Sequence, residues 1–392
     1  MRTTSSSDNI VIIAGEPSGD MLGAALIKAI GEISHKPYRM VGVGGPQMQA
    51  AGLHSLFPLS DLTHFGLFEV VAHLPLILRR LSETIAAIRA QKPAAVITID
   101  SPDFSFRVAA ALKHSGIPLV HYVAPTVWAW RPGRAKKVAA LYHHLLALFP
   151  FEPPYFTAEK LPCTFVGHSV IEGGADQGNA KLFRAQHQLG DAPLLVVLPG
   201  SRKSELKRLL PLYAQTIHRL RGKIPHLRVA LPTLPHFNNQ LVAWAKTLAL
   251  PDAVIVTDTV AEKYHAFAAG TAALACSGTV ALELALAGLP AVIAYKVHPV
   301  TALMVKRAIK VPYANLVNLM LDRMAVPELL QQFCTPQNLE NALLPLLENQ
   351  AARQAQQHDL AQVAAWLGAG GVRPSHRAAQ VVLDVIGEHA NL

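Results

Sequence analysis

Short apolar runs without internal alternation recur along this chain, and they constrain its fold more than any other feature. In the first half they are "NIVIIA", "RMVGVGG", "AAVITI", "IPLVHYV" and "LLALF"; in the second half, "LLVVL", "LRVAL", "AVIVT", "TAALAC" and "PAVIAY". They are β-branched or aliphatic throughout, as strands covered on both faces must be. Between them lie stretches of about 10–20 residues with helical periodicity, long enough for crossovers between parallel strands. The pattern predicts an α/β chain with two parallel sheets. The 392 residues allow two domains of ordinary size. The seam falls in residues 170–193, "VIEGGADQGNAKLFRAQHQLGDAP", which carry Gly-Gly, Asp, Asn and Gln and no strand signal. The expected division is 1–170, 190–348 and a helical tail at 349–392.

Apolar residues make up 51% and charged residues 16%, which raises the question of a membrane span. The most apolar stretch is "LACSGTVALELALAGLPAVIAY". Glu283 lies at its middle, at a cost of about 2–3 kcal/mol in a bilayer, Pro290 interrupts it, and Ser277-Gly278-Thr279 reads as a turn. Strand, turn, helix and strand is the better parse. The polar start "MRTTSSSDN" and the brief run after it do not make a secretion signal. Three separated cysteines make neither a disulfide framework nor a zinc spacing. A reducing cytoplasm is expected. The formal charge of +9 favours an anionic partner: a phosphorylated substrate, an acidic membrane surface or nucleic acid. No nucleic-acid recognition signature is present, so no nucleic acid is expected.

Open parallel sheets bind ligands beyond the carboxyl ends of their strands, so the turns there carry the chemistry. After the first run comes "AGEPSGD". Gly15 and Gly19 permit close backbone approach, and Glu16 is a candidate base or sugar-hydroxyl partner. Ser18 or Asp20 can instead cap the following helix. After "AAVITI" comes "DSPDF". Asp103 reads as the helix N-cap, which leaves Asp100 as a candidate general base or as a turn-forming residue. After "LLVVL" comes "PGSRKSE", where Ser201, backbone N–H groups and Arg202 suit an anion; Arg202 is otherwise a surface cation. After "TAALAC" comes "SGTVALE". Ser277, Gly278 and Thr279 suit a diphosphate, and Glu283, one helical turn on, suits ribose hydroxyls or is an inert helix residue. Asn315 and Asn318 in "YANLVNLM" need a ligand or a backbone partner. Together these turns suit group transfer from a nucleotide-linked donor in a cleft between the two domains. A dehydrogenase would carry a fuller glycine fingerprint, and a metal-dependent transferase an Asp-x-Asp. Neither is present.

"AGEPSGDMLGA", "DSPDF", "VAPTVWAWRPGR", "FPFE", "FVGHS", "LPGSRKSE", "CSGTVALE", "VPYANLVNL" and "VPELLQ" occur in this order. In them the chain resembles the lipid A disaccharide synthase family of Gram-negative bacteria. The resemblance implies a B-type glycosyltransferase fold, two Rossmann-like domains facing across a cleft, with the C-terminal helices crossing back to the first. It implies an inverting enzyme that joins UDP-2,3-diacylglucosamine to 2,3-diacylglucosamine 1-phosphate (lipid X), forming the β-1,6-linked disaccharide 1-phosphate and UDP. The donor would sit on the second domain and the acceptor on the first. No cofactor or metal is implied, and the protein would visit the anionic inner face of the cytoplasmic membrane.

Carried over by motif, the resemblance makes Glu16 and Asp100 the acceptor-side carboxylates. It gives Arg202, Ser277, Gly278, Thr279, Glu283 and Asn318 to the donor and Gln337 as a further polar group of the cleft; Ser201, beside Arg202, is placed with the donor on its anion-site reading. Two departures stand out: Pro17 where a small residue is commoner, and Ala124 in "APT", which excludes a hydroxyl role there. On the acceptor side stand Ser18, Trp128, Trp130 and Arg131. The spacing of the two tryptophans puts both rings on one side of an extended loop, and Arg131 is a candidate partner of the acceptor phosphate. Core packing is the alternative for both rings. Because both substrates are acylated, "LFPLSDLTHFGLFEVVAHLPLILRRL" is the candidate membrane contact. Phe65, Phe68 and Leu76 would enter the interface, with Arg79 and Arg80 at the lipid phosphates; an ordinary amphipathic helix is the alternative. Competing readings are another B-type glycosyltransferase or a nucleotide-sugar epimerase with a soluble substrate, and a non-enzymatic lipid-binding protein on the same scaffold.

Overall fold

A computed structural model describes residues 8–62, 67–129, 133–248, 254–298, 302 and 311–390, with the side chains of residues 67–72 excepted. The chain divides into two compact units, residues 1–169 with 371–392 and residues 170–370.

The first unit holds a seven-stranded parallel sheet: β1 (Asn9–Ala14), β2 (Arg39–Val43), β3 (His54–Ser55), β4 (Ala95–Ile99), β5 (Leu119–Tyr122), β6 (His144–Ala147) and β7 (Cys163–Phe165). Their order is β3-β2-β1-β4-β5-β6-β7. The second unit holds β8 (Leu194–Leu198), β9 (Arg228–Pro232), β10 (Val254–Thr257), β11 (Ala272–Cys276), β12 (Ala291–Tyr295) and β13 (Glu328–Leu330), in the order β10-β9-β8-β11-β12-β13. Every pairing is parallel. All ten runs predicted as strands are strands. The three further strands, β3, β7 and β13, are two or three residues long and each lies at a sheet edge. Natural sheets keep their edges short, and so short a segment carries no periodic signal.

Helices cover the sheets, and the central strands are buried almost throughout, while β7, β10 and β13 at the sheet edges are only partly covered. In the first unit Val11, Ile13, Val96, Leu119 and Leu145 pack with Val108, Leu112 and Ile88 from the covering helices. In the second, Leu195, Val197, Val229, Leu274 and Val292 pack with Leu209, Tyr213, Ile217 and Leu343. The apolar stretch 274–295 forms β11, a turn, the helix Val280–Leu286 and β12, the parse its polar interruptions predicted. No helix among the described residues is long and apolar enough to cross a membrane.

The tail is helical. The helix Gln350–Leu367 packs on Val280–Leu286 and on Leu316–Leu321 in the second unit. It ends at Gly368, whose φ of 103° is left-handed and costs glycine nothing. The last helix, Pro374–Ala390, packs instead on Pro17–Ile33 of the first unit, where His376 Nε2 lies 2.9 Å from Glu32.

Both sheets reverse their strand order once, between β1 and β4 and between β8 and β11. At such a reversal two adjacent strands send their following chains to opposite faces, which opens a crevice at the carboxyl edge. "AGE" and "DSPD" leave the sheet at the first reversal; "PGSR" and "SGT" leave it at the second.

Candidate functional site

Ala14 is the register partner of Ile99, so Glu16 and Asp100 emerge side by side. The two turns touch: a Cβ on Gly15 would stand 2.5 Å from Ser101 Cβ, so only glycine fits. Asp100 and Ser101 have φ of 50° and 45°, and Val123, at the end of the neighbouring β5, has 81°. Positive φ is sterically costly for a side-chain-bearing residue, and most so for a β-branched one. Three such residues crowd the strand ends at this crevice. The Asp100 N–H donates to Tyr122 O at 3.0 Å, and Ser105 Oγ donates to Asp100 O at 2.7 Å. The backbone of Asp100 is thereby pinned.

Burial raises the pKa of Asp100, opposed by a hydrogen bond from the Ser101 backbone. Glu16 is raised first by burial and second by the charge of Asp100. Two neighbouring carboxyl groups, Asp100 raised by burial and Glu16 by burial and the Asp100 charge, suit proton transfer.

The caps differ from expectation. The helix Pro17–Ile33 has Glu16 at its N-cap and no side-chain cap. Ser18 is exposed in its first turn. Asp20 is buried and caps a different helix, Pro46–Ala50, by accepting the N–H groups of Gly45 (2.7 Å), Gln47 (3.0 Å) and Met48 (3.0 Å). Asp103 is not an N-cap either: Ser101 holds that position in a left-handed conformation, and Asp103 lies in the first turn.

Trp128 is half-buried and its Nε1–H donates to Glu152 at 3.2 Å. Residues 127–129 form a turn rather than an extended segment. Trp130, Arg131 and Phe65 lie outside the described residues, as does the side chain of Phe68.

In the second unit Leu198 pairs with Ala275, so the turns after β8 and β11 adjoin. Gly200 has φ of 112°, and a Cβ there would stand 2.8 Å from Glu205 Cβ. Glu205, at the third position of the helix Lys203–Lys223, accepts the N–H groups of Ser201 (2.9 Å) and Arg202 (3.2 Å). It also accepts from the Arg202 guanidinium at 3.1 Å. Those two N–H groups are therefore engaged by an internal carboxylate, which reaches back as in a capping box. The Arg202 side chain itself stays largely exposed.

Ser277 lies 3.5 Å from Ala314 O, and Gly278 and Thr279 are exposed. Glu283 accepts from Lys263 Nζ at 2.8 Å and from the Tyr264 hydroxyl at 3.3 Å. Burial and then the Glu283 charge raise the pKa of Tyr264, so the phenol stays protonated as a donor.

Asn318 is fully buried. Its amide bonds Val326 O (2.7 Å), Val326 N–H (2.9 Å) and Glu328 Oε1 (3.0 Å), which tie its helix to β13. Asn315 caps that helix through Val317 N–H at 3.1 Å. The Asn318 amide thus has backbone partners at both its oxygen and its nitrogen, whereas Asn315 is satisfied at its oxygen only and its Nδ2 is buried with no hydrogen-bond partner. Gln337 bonds Arg219 and Asn341. Arg219 is seventeen residues beyond Arg202 on one helix, about 25 Å along the axis, so Gln337 is not brought to the turn after β8.

On the helix Leu67–Gln91, Leu74 and Leu78 are exposed and Leu76 is half-buried. Arg79 pairs with Glu83 at 2.8 Å, and Arg80 with Asp61 (2.8 Å) and Glu83 (2.6 Å). Arg80 also lies over the Phe57 ring. Acids thus hold both cations. Among the described residues no three His, Cys, Asp or Glu side chains form a metal-binding group.

Sequence reasoning missed Glu152 and Glu205, the buried carboxylates that hold Trp128 and Arg202. The signals were present. Glu205 stands three residues after Arg202, the capping-box spacing, and Glu152 ends the "FPFE" motif just past β6.

The profile of the lipid-A-disaccharide synthetase family matches residues 10–382. A lipid-A-disaccharide synthase of Rhodospirillum centenum is 54% identical over 380 residues, covering 96% of this chain and 94% of that protein. Among solved structures, a putative UDP-N-acetylglucosamine 2-epimerase from Listeria monocytogenes superimposes with a TM-score of 0.66 at 14% identity, covering 98% and 97% of the two chains. MurG of Acinetobacter baumannii gives 0.60 at 16% identity, covering 97% and 99%. At such identities these structures speak to the fold, which is that of B-type glycosyltransferases and related epimerases.

Proposed function

The chain belongs to the lipid-A-disaccharide synthase family, glycosyltransferases of lipid A biosynthesis, and from that premise we propose that it joins UDP-2,3-diacylglucosamine to 2,3-diacylglucosamine 1-phosphate. The product is the β-1,6-linked disaccharide 1-phosphate, with inversion at the donor C1. The observation that carries the reading is the pair Glu16 and Asp100 at the reversal point of the first sheet, with raised pKa values and strained backbone at Asp100.

Asp100 takes the proton of the acceptor 6-hydroxyl. That oxygen forms its bond to C1 while the C1–O bond to the diphosphate breaks and the electron pair leaves on the UDP β-phosphate. Glu16 is the alternate base. A positioned base contributes about 10²–10⁴-fold. The diphosphate docks at Ser277, Gly278 and Thr279, with the exposed Arg202 guanidinium countering the charge that grows on the leaving group. Glu283 is oriented by Lys263 and Tyr264 and receives ribose hydroxyls. Trp128 walls the acceptor. Its hydrogen bond to a buried carboxylate fixes a ring at the carboxyl edge of the same sheet.

The acyl chains bring the protein to an anionic membrane surface. Among the described side chains of the helix Leu67–Gln91, Leu74 and Leu78 are exposed apolar residues. Vesicle flotation tests this: binding falls when both become serine, and unchanged binding rejects the helix as the contact.

The activity is tested by UDP release from UDP-2,3-diacylglucosamine with and without the acceptor. Release that requires both substrates is expected. Release or isomerisation of the donor alone would favour an epimerase, and no turnover would favour a lipid-binding role.

A further inference from the structure

The motifs "FPFE" and "FVGHS" take no part in the reaction just described. In the structure they converge. Beyond β6 the chain runs Leu148-Phe149-Pro150-Phe151-Glu152, and the Glu152 carboxylate folds back under it. One oxygen, Oε2, accepts the N–H groups of Leu148 and Phe149, both at 3.0 Å. The other, Oε1, accepts the Trp128 indole N–H at 3.2 Å. Glu152 is 2% exposed. Phe151 meets Trp128 edge-on, with ring centroids 5.2 Å apart, and stacks on Phe149 at 5.4 Å. Phe149 in turn meets His168, just beyond β7, at 5.4 Å. One carboxylate and a chain of rings thus join the loops that follow β5, β6 and β7.

A buried carboxylate is costly unless its oxygens are satisfied. Here burial pushes the group up to about 7 against the pull of three N–H donors. Both oxygens are committed to protein donors, so the group is badly placed to act as a base. The cost is offset by fixing two loops at once. Trp128 follows β5, whose Tyr122 carbonyl holds the Asp100 N–H, so the ring is anchored one strand away from the candidate base.

We infer that Glu152 is a positioning residue for the acceptor: through the indole N–H and the Leu148–Phe149 amides it sets the plane of Trp128 against the acylated sugar. The inference rests on the reading of Trp128 as acceptor wall. A hydrogen bond is directional, so a ring held at its N–H keeps one orientation where packing alone allows several.

The test is steady-state kinetics on Glu152→Gln, Trp128→Phe and Trp128→Ala, each checked for folding by thermal melting. A glutamine can meet the two backbone N–H groups with its oxygen, and its amide nitrogen then opposes the indole N–H. Glu152→Gln is expected to raise the acceptor KM about tenfold with the donor KM within twofold, and Trp128→Phe, which lacks the N–H, to do the same. Combining the two adds little, because they delete one bond. If Trp128→Ala raises the acceptor KM but folded Glu152→Gln and Trp128→Phe leave it unchanged, the positioning role is refuted while the wall survives. An unchanged acceptor KM in Trp128→Ala refutes the wall itself. Should Glu152→Gln fail to fold, Trp128→Phe against Trp128→Ala decides alone.

Discussion

Asp100 donates its backbone N–H to the carbonyl of Tyr122 at 3.0 Å, which locks the turn after β4 onto the end of β5. The same register sets Ala14 beside Ile99, so the turn carrying Glu16 lies on the other side of Asp100. Fixing the backbone of this turn fixes where the Asp100 side chain starts, and a defined position is what a proton acceptor needs.

That placement has a thermodynamic consequence. Burial raises the Asp100 pKa above its ordinary value of 3.8. A group whose folded pKa is raised contributes stability that is present below the unfolded pKa and lost as pH rises through the folded pKa. Asp100→Asn is therefore expected to melt higher than the wild type at pH 7, with the gap closing towards pH 4. Melting curves at the two pH values check this; equal melting temperatures at pH 7 would contradict it.

The same shift moves the rate profile. A base works ionised, so kcat/KM rises with pH through its pKa, and the acid limb lies above that of a free aspartate. Removing the Asp100 charge lowers the pKa of Glu16, for which that charge is the second cause of elevation after burial. Nuclear magnetic resonance titration of Glu16 in wild type and Asp100→Asn reads this directly, and an unmoved Glu16 would refute the coupling.

Val123 has a φ of 81°, a conformation glycine adopts freely and alanine does not. Val123→Gly is expected to be more stable than Val123→Ala by about 1 kcal/mol, the reverse of the usual order. Denaturant unfolding of the pair measures it.

Asp20 accepts three backbone N–H groups while 3% exposed. Asp20→Ala leaves them unpaired and is expected to cost about 2–4 kcal/mol, read as a fall in the denaturation midpoint. A loss below about 0.5 kcal/mol would show that water replaces the carboxylate.

The strands and turns were legible because a strand buried on both faces must be apolar throughout, and because ligand chemistry collects at strand ends. Ten runs sufficed to read the strand framework, short of its three edge strands. The caps were less legible. Asp20 and Asp103 both stand where a local cap is expected, yet Asp20 reaches a helix some twenty-five residues on and Asp103 yields the cap position to Ser101. Local spacing cannot report a partner supplied by tertiary contact. For the same reason Asn318 and Gln337, carried over by resemblance, prove to be engaged by β13 and by Arg219. Trp128 was noticed for its ring, whereas the hydrogen bond that orients it comes from Glu152, twenty-four residues away.

Turnover by Asp100→Asn, measured as UDP release with both acylated substrates alongside UDP affinity, tests the central claim most directly. The account predicts a fall in kcat of at least about 100-fold with UDP affinity within twofold of wild type. Most of the turnover surviving in a variant that still binds UDP would contradict it.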